Sequence, residues 1–160
     1  MKLAEWVTAY RKGKAVFPTV PVLIAVPPRE GEFEESASTE PGPAGPMDVR
    51  IIANEVVVLL ARELVDGRVY TVGRIDLCDT HLPFPTISKV HASFRHGSQG
   101  WEVQDVGSLN GTRVATERIE KGVWTPVRDG SEIMFGRVLC RLLSPQSFAA
   151  EVLRQARLAG

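Results

Sequence analysis

Between His91 and Asp105 the chain alternates apolar and polar residues twice, with a glycine-bounded break in the middle. In His91-Ala-Ser-Phe-Arg-His96 and Trp101-Glu-Val-Gln-Asp105, Ala92, Phe94, Trp101 and Val103 share one face, and Ser93, Arg95, Glu102 and Gln104 share the other. A period of two belongs to half-buried strands. Gly97-Ser-Gln-Gly100 supplies the hairpin connection, and Ser108-Leu-Asn-Gly-Thr112 follows with an Asn-Gly pair suited to positive φ.

The flanking sequence extends the β pattern. Val56 to Ala61 is a continuous apolar run fit for a buried strand, Asp66-Gly67 is a hairpin signal, and Arg68 to Gly73 leads into a loop that begins at Arg74. Ile75 to Thr86, stiffened by Pro83 and Pro85, reads as a loop. Further strand candidates lie at Arg113-Val114, Arg118-Ile119, Trp124 to Val127, Ser131 to Phe135 and Arg137 to Leu143. Polar hydrogen-bonding residues therefore collect at strand ends: Arg74, then Ser88 and Lys89, then Ser108 and Asn110. Arg74 offers a rigid fork of donors, Lys89 a mobile charge, and the Ser88 hydroxyl and Asn110 amide neutral donors. That set suits a phosphate or a carboxylate, and a phosphorylated side chain with its extra charge gains most from it.

These residues, in this order, resemble the signature of a forkhead-associated (FHA) domain: Gly73-Arg74, Ser88-Lys-Val-His91, Ser108-Leu-Asn-Gly-Thr112, Asp129-Gly130 and Phe135-Gly136. The resemblance covers Val56 to Leu143, about half the chain. It implies an FHA-like β-sandwich of eleven strands with phosphothreonine-binding loops at one end. It also implies Arg74 as the main phosphate ligand and Ser88 as a second, with Lys89 where the family often has an arginine or another polar contact. Asn110 matches the asparagine that holds the peptide backbone, Ser108 supports its loop, and Gly73, His91 and Gly111 are framework residues. The sequence departs at Leu109, where some members carry a polar phosphate contact.

Taken singly these residues also have ordinary readings: Arg74 as a solvated side chain, Ser88 as a turn residue, Asn110-Gly111 as a hairpin turn. His91, set in a strand among apolar neighbours, reads as a hydrogen-bonded framework group rather than a base or metal ligand. Ser88 and His91 lack an orienting acid or an oxyanion motif, and Ser108-Leu-Asn-Gly is not a nucleophile elbow, so catalysis is not expected.

A length of 160 residues suits one domain with extensions. Lys plus Arg and Asp plus Glu number 19 each, so no broad basic footprint points to nucleic acid and any anion affinity must be local. Cys78 and Cys140 have neither metal-ligand spacing nor a disulfide framework, which suggests free thiols, no metal, no cofactor and a cytoplasmic protein. No secretory signal is read, since Met1 to Trp6 brings in Glu5 early and lacks an apolar h-region, and no membrane span, since the apolar run Val20 to Val26 is short and holds Pro21.

Four segments are expected. Residues 1–26 hold a short amphipathic helix, with Leu3, Trp6, Val7 and Tyr10 on one face and Gly13 as its stop, followed by an extended stretch from Phe17 to Val26. Residues 27–48 carry five prolines, three glycines, six acids and one arginine, the composition of an acidic linker. Within it Thr39 is a candidate phosphoacceptor that could occupy the chain's own pocket, since tethering raises effective concentration. Residues 49–143 are the FHA-like domain. Residues 144–160 are a second helix, opened by Ser144-Pro145 and striped by Phe148, Val152, Leu153 and Ala156. Each helix packs on the sandwich or binds a partner. The functional expectation is a non-catalytic module that binds phosphothreonine on a partner protein downstream of a Ser/Thr kinase. Its alternative is a structural interaction module that ignores phosphate.

Overall fold

The computed structural model describes residues 1–26 and 55–158; the 27–48 linker and Thr39 lie outside them. The described chain runs α1 (Leu3–Arg11), β1 (Val22–Val26), β2 (Val56–Leu59), β3 (Val69–Gly73), β4 (Thr80–His81), β5 (Ala92–Gly97), β6 (Gly100–Asp105), β7 (Thr112–Val114), β8 (Glu117–Arg118), β9 (Thr125–Val127), β10 (Glu132–Phe135), β11 (Val138–Leu143) and α2 (Pro145–Leu158). Its eleven strands form two sheets. One has the order β2-β1-β11-β10-β7-β8, the other β4-β3-β5-β6-β9. Each strand pairing is antiparallel except β3 with β4, which is parallel.

The alternation from 91 to 105 becomes the β5–β6 hairpin, with Phe94 opposite Val103 and Ala92 opposite Asp105. Ala92, Phe94 and Val103 enter the core with Tyr70, Val72, Ile133, Phe135, Val138 and Cys140, and Phe94 meets Phe135 edge-on across the two sheets at 6.1 Å. Ser93, on the other face, is nevertheless buried: small itself, it is closed off between its register partners Thr71 and Gln104.

The apolar runs of β1 and β2 have a different cause. β1 lies inside its sheet, between β2 and β11, and is covered on its outer side as well. There Val22, Ile24, Val57 and Leu143 pack with Leu3 of α1 and with Phe148 and Val152 of α2. Trp6 stacks on Phe17 at 6.0 Å and meets Phe148 edge-on at 5.2 Å, so the stretch before β1 is bound into the same cluster. A nine-residue helix is marginal alone; burying side chains such as Leu3 and Phe148, each worth about 1.5–3 kcal/mol, holds both helices on the sandwich. Phe148 and Val152 of the expected stripe are buried and Leu153 and Ala156 half-buried; Gln155 is buried as well and satisfies its amide on Glu151 at 3.1 Å.

One turn acts differently from its sequence signal, and another does more than turn. Asp66-Gly67 does turn, but β2 and β3 belong to different sheets, so it is a crossing between layers and not a hairpin. β1 occupies one edge of β2 and the residues that open α1 bridge the other at Val56, while β3 is taken by β4 and β5; Tyr70 Oη ties the crossing by accepting from Val65 N at 2.7 Å. Asp129-Gly130 precedes β10 and also anchors α2. The Asp129 carboxylate accepts from Ser144 N at 2.8 Å and from the hydroxyls of Ser144 and Ser147, while Ser144 Oγ caps the helix by accepting from Ser147 N at 3.1 Å.

Candidate functional site

The loops that follow β3, precede β5 and follow β6 meet at one end of the sandwich, joined by hydrogen bonds between residues far apart in sequence. The first begins where β3 ends. A Cβ on Gly73 would stand 2.1 Å from the Lys89 carbonyl oxygen and 2.8 Å from Cys78 Sγ, so only glycine lets the loop before β5 pass this closely. Gly73→Ala is expected to push the two loops apart and lower the melting temperature by roughly 10 °C or more, because the obstacle is backbone. A thermal melt within a degree or two of wild type would contradict this.

Past Gly73 the backbone holds Arg74 on both sides: its N–H donates to Ser88 O at 3.1 Å and its carbonyl accepts from His81 Nε2 at 3.0 Å. Its Nε donates to Ile87 O at 3.0 Å. The residue is exposed, and among the described residues no carboxylate pairs with it, so both terminal guanidinium nitrogens remain as donors for an anion.

Ser88 is half-buried beside Arg74. Its Oγ accepts from Leu109 N at 3.0 Å, which leaves the hydroxyl hydrogen to donate outward. Lys89, next in the chain, is exposed. The Leu109 side chain lies at the surface, 86% exposed, so the contribution of this position to the site is its backbone N–H. Asn110 is exposed; its Nδ2 donates to Thr86 O at 2.8 Å, which orients the amide and leaves Oδ1 as an acceptor.

Beneath these groups lies a buried polar frame. Ser88 N–H donates to His91 Nδ1 at 3.0 Å, so Nδ1 carries no proton and Nε2–H donates to Gly111 O at 2.8 Å. His91 thus joins two loops as a neutral imidazole, and burial lowers its pKa below the ordinary 6.5 against smaller raising effects from Gly111 and Asp105. Asp105 carries the third loop. Its carboxylate accepts from Gly107 N and Ser108 N, each at 2.8 Å, from the Ser108 hydroxyl, and from Thr112 Oγ1 at 2.8 Å. Burial would raise its pKa; the hydrogen bonds from Ser108, Thr112 and Gly107 outweigh that and hold it below the ordinary 3.8. With the histidine neutral, the 4.0 Å approach of Nε2 to Asp105 is not an ion pair.

Ser108 is fully buried, and its Oγ accepts from Gly111 N at 2.9 Å while donating to Asp105. It shapes the loop from below. Of the Asn-Gly pair only Gly111 takes positive φ, at 83°. The structure therefore brings Arg74, Ser88 and Asn110 to one surface, leaves Lys89 exposed next to Ser88 in the chain, and sets Gly73, His91, Ser108 and Gly111 beneath them.

Two contributors escaped the sequence reading. Asp105 was visible only as a strand end, although an aspartate with Gly at i+2 and Ser at i+3 is a recognisable local hydrogen-bonding pattern. Thr86 accepts from Asn110 on its carbonyl and from Arg137 N on its hydroxyl at 3.1 Å. Its signal is Gly136, where a Cβ would stand 2.4 Å from Thr86 O.

Two sheets with loops converging at one end, and a cationic surface over a His–Asp frame, define the class. The chain belongs to the FHA domain family, whose profile matches residues 70–136. The oxoglutarate dehydrogenase inhibitor of Corynebacterium glutamicum is 36% identical over 111 residues, which are 66% of this chain and 76% of that protein. The glycogen accumulation regulator GarA of Mycobacterium tuberculosis is 36% identical over 77 residues, 48% of this chain and 46% of its own length, so the chain spans only about half of that relative. Among solved structures, an engineered FHA domain with a Myc-pTBD peptide superposes with a TM-score of 0.50 at 20% identity, over 84% of this chain and 98% of that one, a likeness of fold.

Proposed function

We propose that this chain is a non-catalytic reader of phosphothreonine that couples an upstream Ser/Thr kinase to a partner protein. Arg74, Ser88 and Lys89 take the phosphate, and Asn110 takes the backbone of the extended peptide that carries it. One observation carries the reading: Arg74, Ser88 and Asn110 come from three loops that are hydrogen-bonded to each other and share one exposed surface. Each of the three keeps a donor or acceptor that the protein itself does not use. Specificity then needs both charge and extended backbone geometry, and neither alone suffices.

The relatives support a regulatory role, since one is named as an inhibitor of an enzyme and another as a regulator of glycogen accumulation. Nothing in the surface arrangement resembles a nucleophile with its base, because His91 is buried and both its ring nitrogens are engaged. The two cysteines are buried free thiols, which supports a cytoplasmic setting; no helix among the described residues is long and apolar enough to cross a membrane. Residues 49–143, completed by β1 from the N-terminal segment 1–26, then form the reading domain, with 144–160 as its closing helix and 27–48 as an acidic linker in which Thr39 is a phosphoacceptor.

Calorimetry of the purified chain against an oriented phosphothreonine peptide library, with phosphoserine and unphosphorylated controls, tests this. Binding is expected only to the phosphothreonine set. Equal binding to modified and unmodified peptides, or none by a folded chain, would favour a phosphate-independent interaction module.

A further inference from the structure

Beside the phosphate site lies a second cationic feature. The β7–β8 hairpin turns through Ala115 and Thr116, both at positive φ (49° and 74°), a conformation unfavourable for residues other than glycine and more so for β-branched threonine. This tight turn sets Arg113 directly opposite Arg118 in the register, so two like charges face each other across the ladder. Such a pair is destabilising unless something negative answers it. Among the described residues neither arginine makes an ion pair, and the Arg113 guanidinium donates only to Thr116 O at 3.3 Å.

The position of Arg118 links this pair to Asn110. A Cβ on Gly111 would stand 3.0 Å from Arg118 Cζ, Nε and Nη2 alike, so the guanidinium lies flat against the glycine that follows Asn110. Arg118 is exposed. The flat contact holds the guanidinium while its in-plane donors stay open to a carboxylate. The glycine at 111 therefore serves twice, allowing positive φ and giving the arginine room.

We propose that Arg118, assisted by Arg113, is a second anion subsite that selects phosphothreonine peptides with an acidic side chain near the phosphothreonine. The inference rests on the phosphothreonine reading above and adds the class of sequence that carries the modification. Leu109 N is 3.0 Å from Ser88 Oγ, and Gly111 is two residues further along. At about 3.3 Å per residue of extended peptide, the subsite falls within roughly four residues of the phosphothreonine. An exposed carboxylate–guanidinium contact of this kind should change affinity by about twofold to fivefold and should weaken with salt.

The test is calorimetry with phosphothreonine peptides in an alanine background, each carrying one glutamate moved through the flanking positions. These are titrated into the wild-type chain, Arg118→Gln and Arg118→Glu, with melts to confirm folding. In the wild type, glutamate at one or two positions should raise affinity about fivefold. Arg118→Gln should abolish that gain while binding the all-alanine phosphopeptide as before, and Arg118→Glu should prefer lysine at the same position. A gain that persists in Arg118→Gln, or acidic flanks that help equally at every position, would overturn the subsite and leave the phosphothreonine reading standing. Failure of the wild type to bind even the all-alanine and glutamate phosphopeptides would overturn both.

Discussion

Arg74→Ala is expected to weaken phosphothreonine-peptide binding by about a hundredfold or more while leaving the chain folded. Two charge-assisted hydrogen bonds to phosphate, at about 1.5–3 kcal/mol each, account for a loss of that order. The structural cost is small because the side chain is exposed and makes one internal hydrogen bond, from Nε to Ile87 O, worth about 1 kcal/mol. Arg74→Lys should recover part of the affinity, since it restores the charge without the fork of donors. Calorimetry beside a thermal melt separates the two effects. Unchanged affinity in a folded Arg74→Ala protein would refute the assignment.

Asp105→Ala should have the opposite profile, a large loss of stability with binding lost as a consequence. The substitution removes the acceptor of four hydrogen bonds, three of them from the buried Ser108 and Thr112. At about 1–3 kcal/mol for each buried donor left without a partner, the loss is about 3 kcal/mol or more, a large part of the stability of a domain this size. Urea denaturation measures it, and a loss below about 1 kcal/mol would show that the carboxylate is not what holds the loop after β6. The pH dependence has two windows of the same sign. His91 has a lowered pKa in the folded chain, so the unfolded state binds its proton first, and stability falls as pH drops below about 6.5 toward the folded value. Asp105 is likewise lowered; its contribution is complete above the ordinary 3.8 and is lost as pH falls through the folded value. Stability that stays level from pH 7 to 5 would contradict a neutral His91.

Strand period and the order of the loop residues were legible because both are local. Alternation at 92–94 and 101–103 follows from one buried face of a hairpin, and the Gly-Arg, Ser-Lys-Val-His and Ser-Leu-Asn-Gly pieces keep their order in any fold that uses them. What each piece touches was not legible. Asp66-Gly67 carries the same local chemistry whether its strands pair or part, and the tertiary pairing of β2 with β1 and of β3 with β4 and β5 made it a crossing. Ser93 had a polar side chain at a solvent-facing position, and its burial depended on which neighbours the register supplied. The apolar stripe of α2 was legible at Phe148 and Val152, but the burial of Gln155 beside them was decided by the surface that helix packs on.

The same division runs through the site. The residue types able to hold a phosphate, and the glycines that admit close approach or positive φ, are properties of the sequence, since donor number and the lack of a Cβ do not depend on context. That Arg74, Ser88 and Asn110 face one space was decided by tertiary structure. Hydrogen bonds across 13, 21 and 24 residues of sequence bring them together. So was the juxtaposition of Arg118 with Gly111, and the engagement of both His91 nitrogens between loops. Contacts of that range depend on how two sheets stack and which loops they leave at one end, and no local pattern encodes that arrangement.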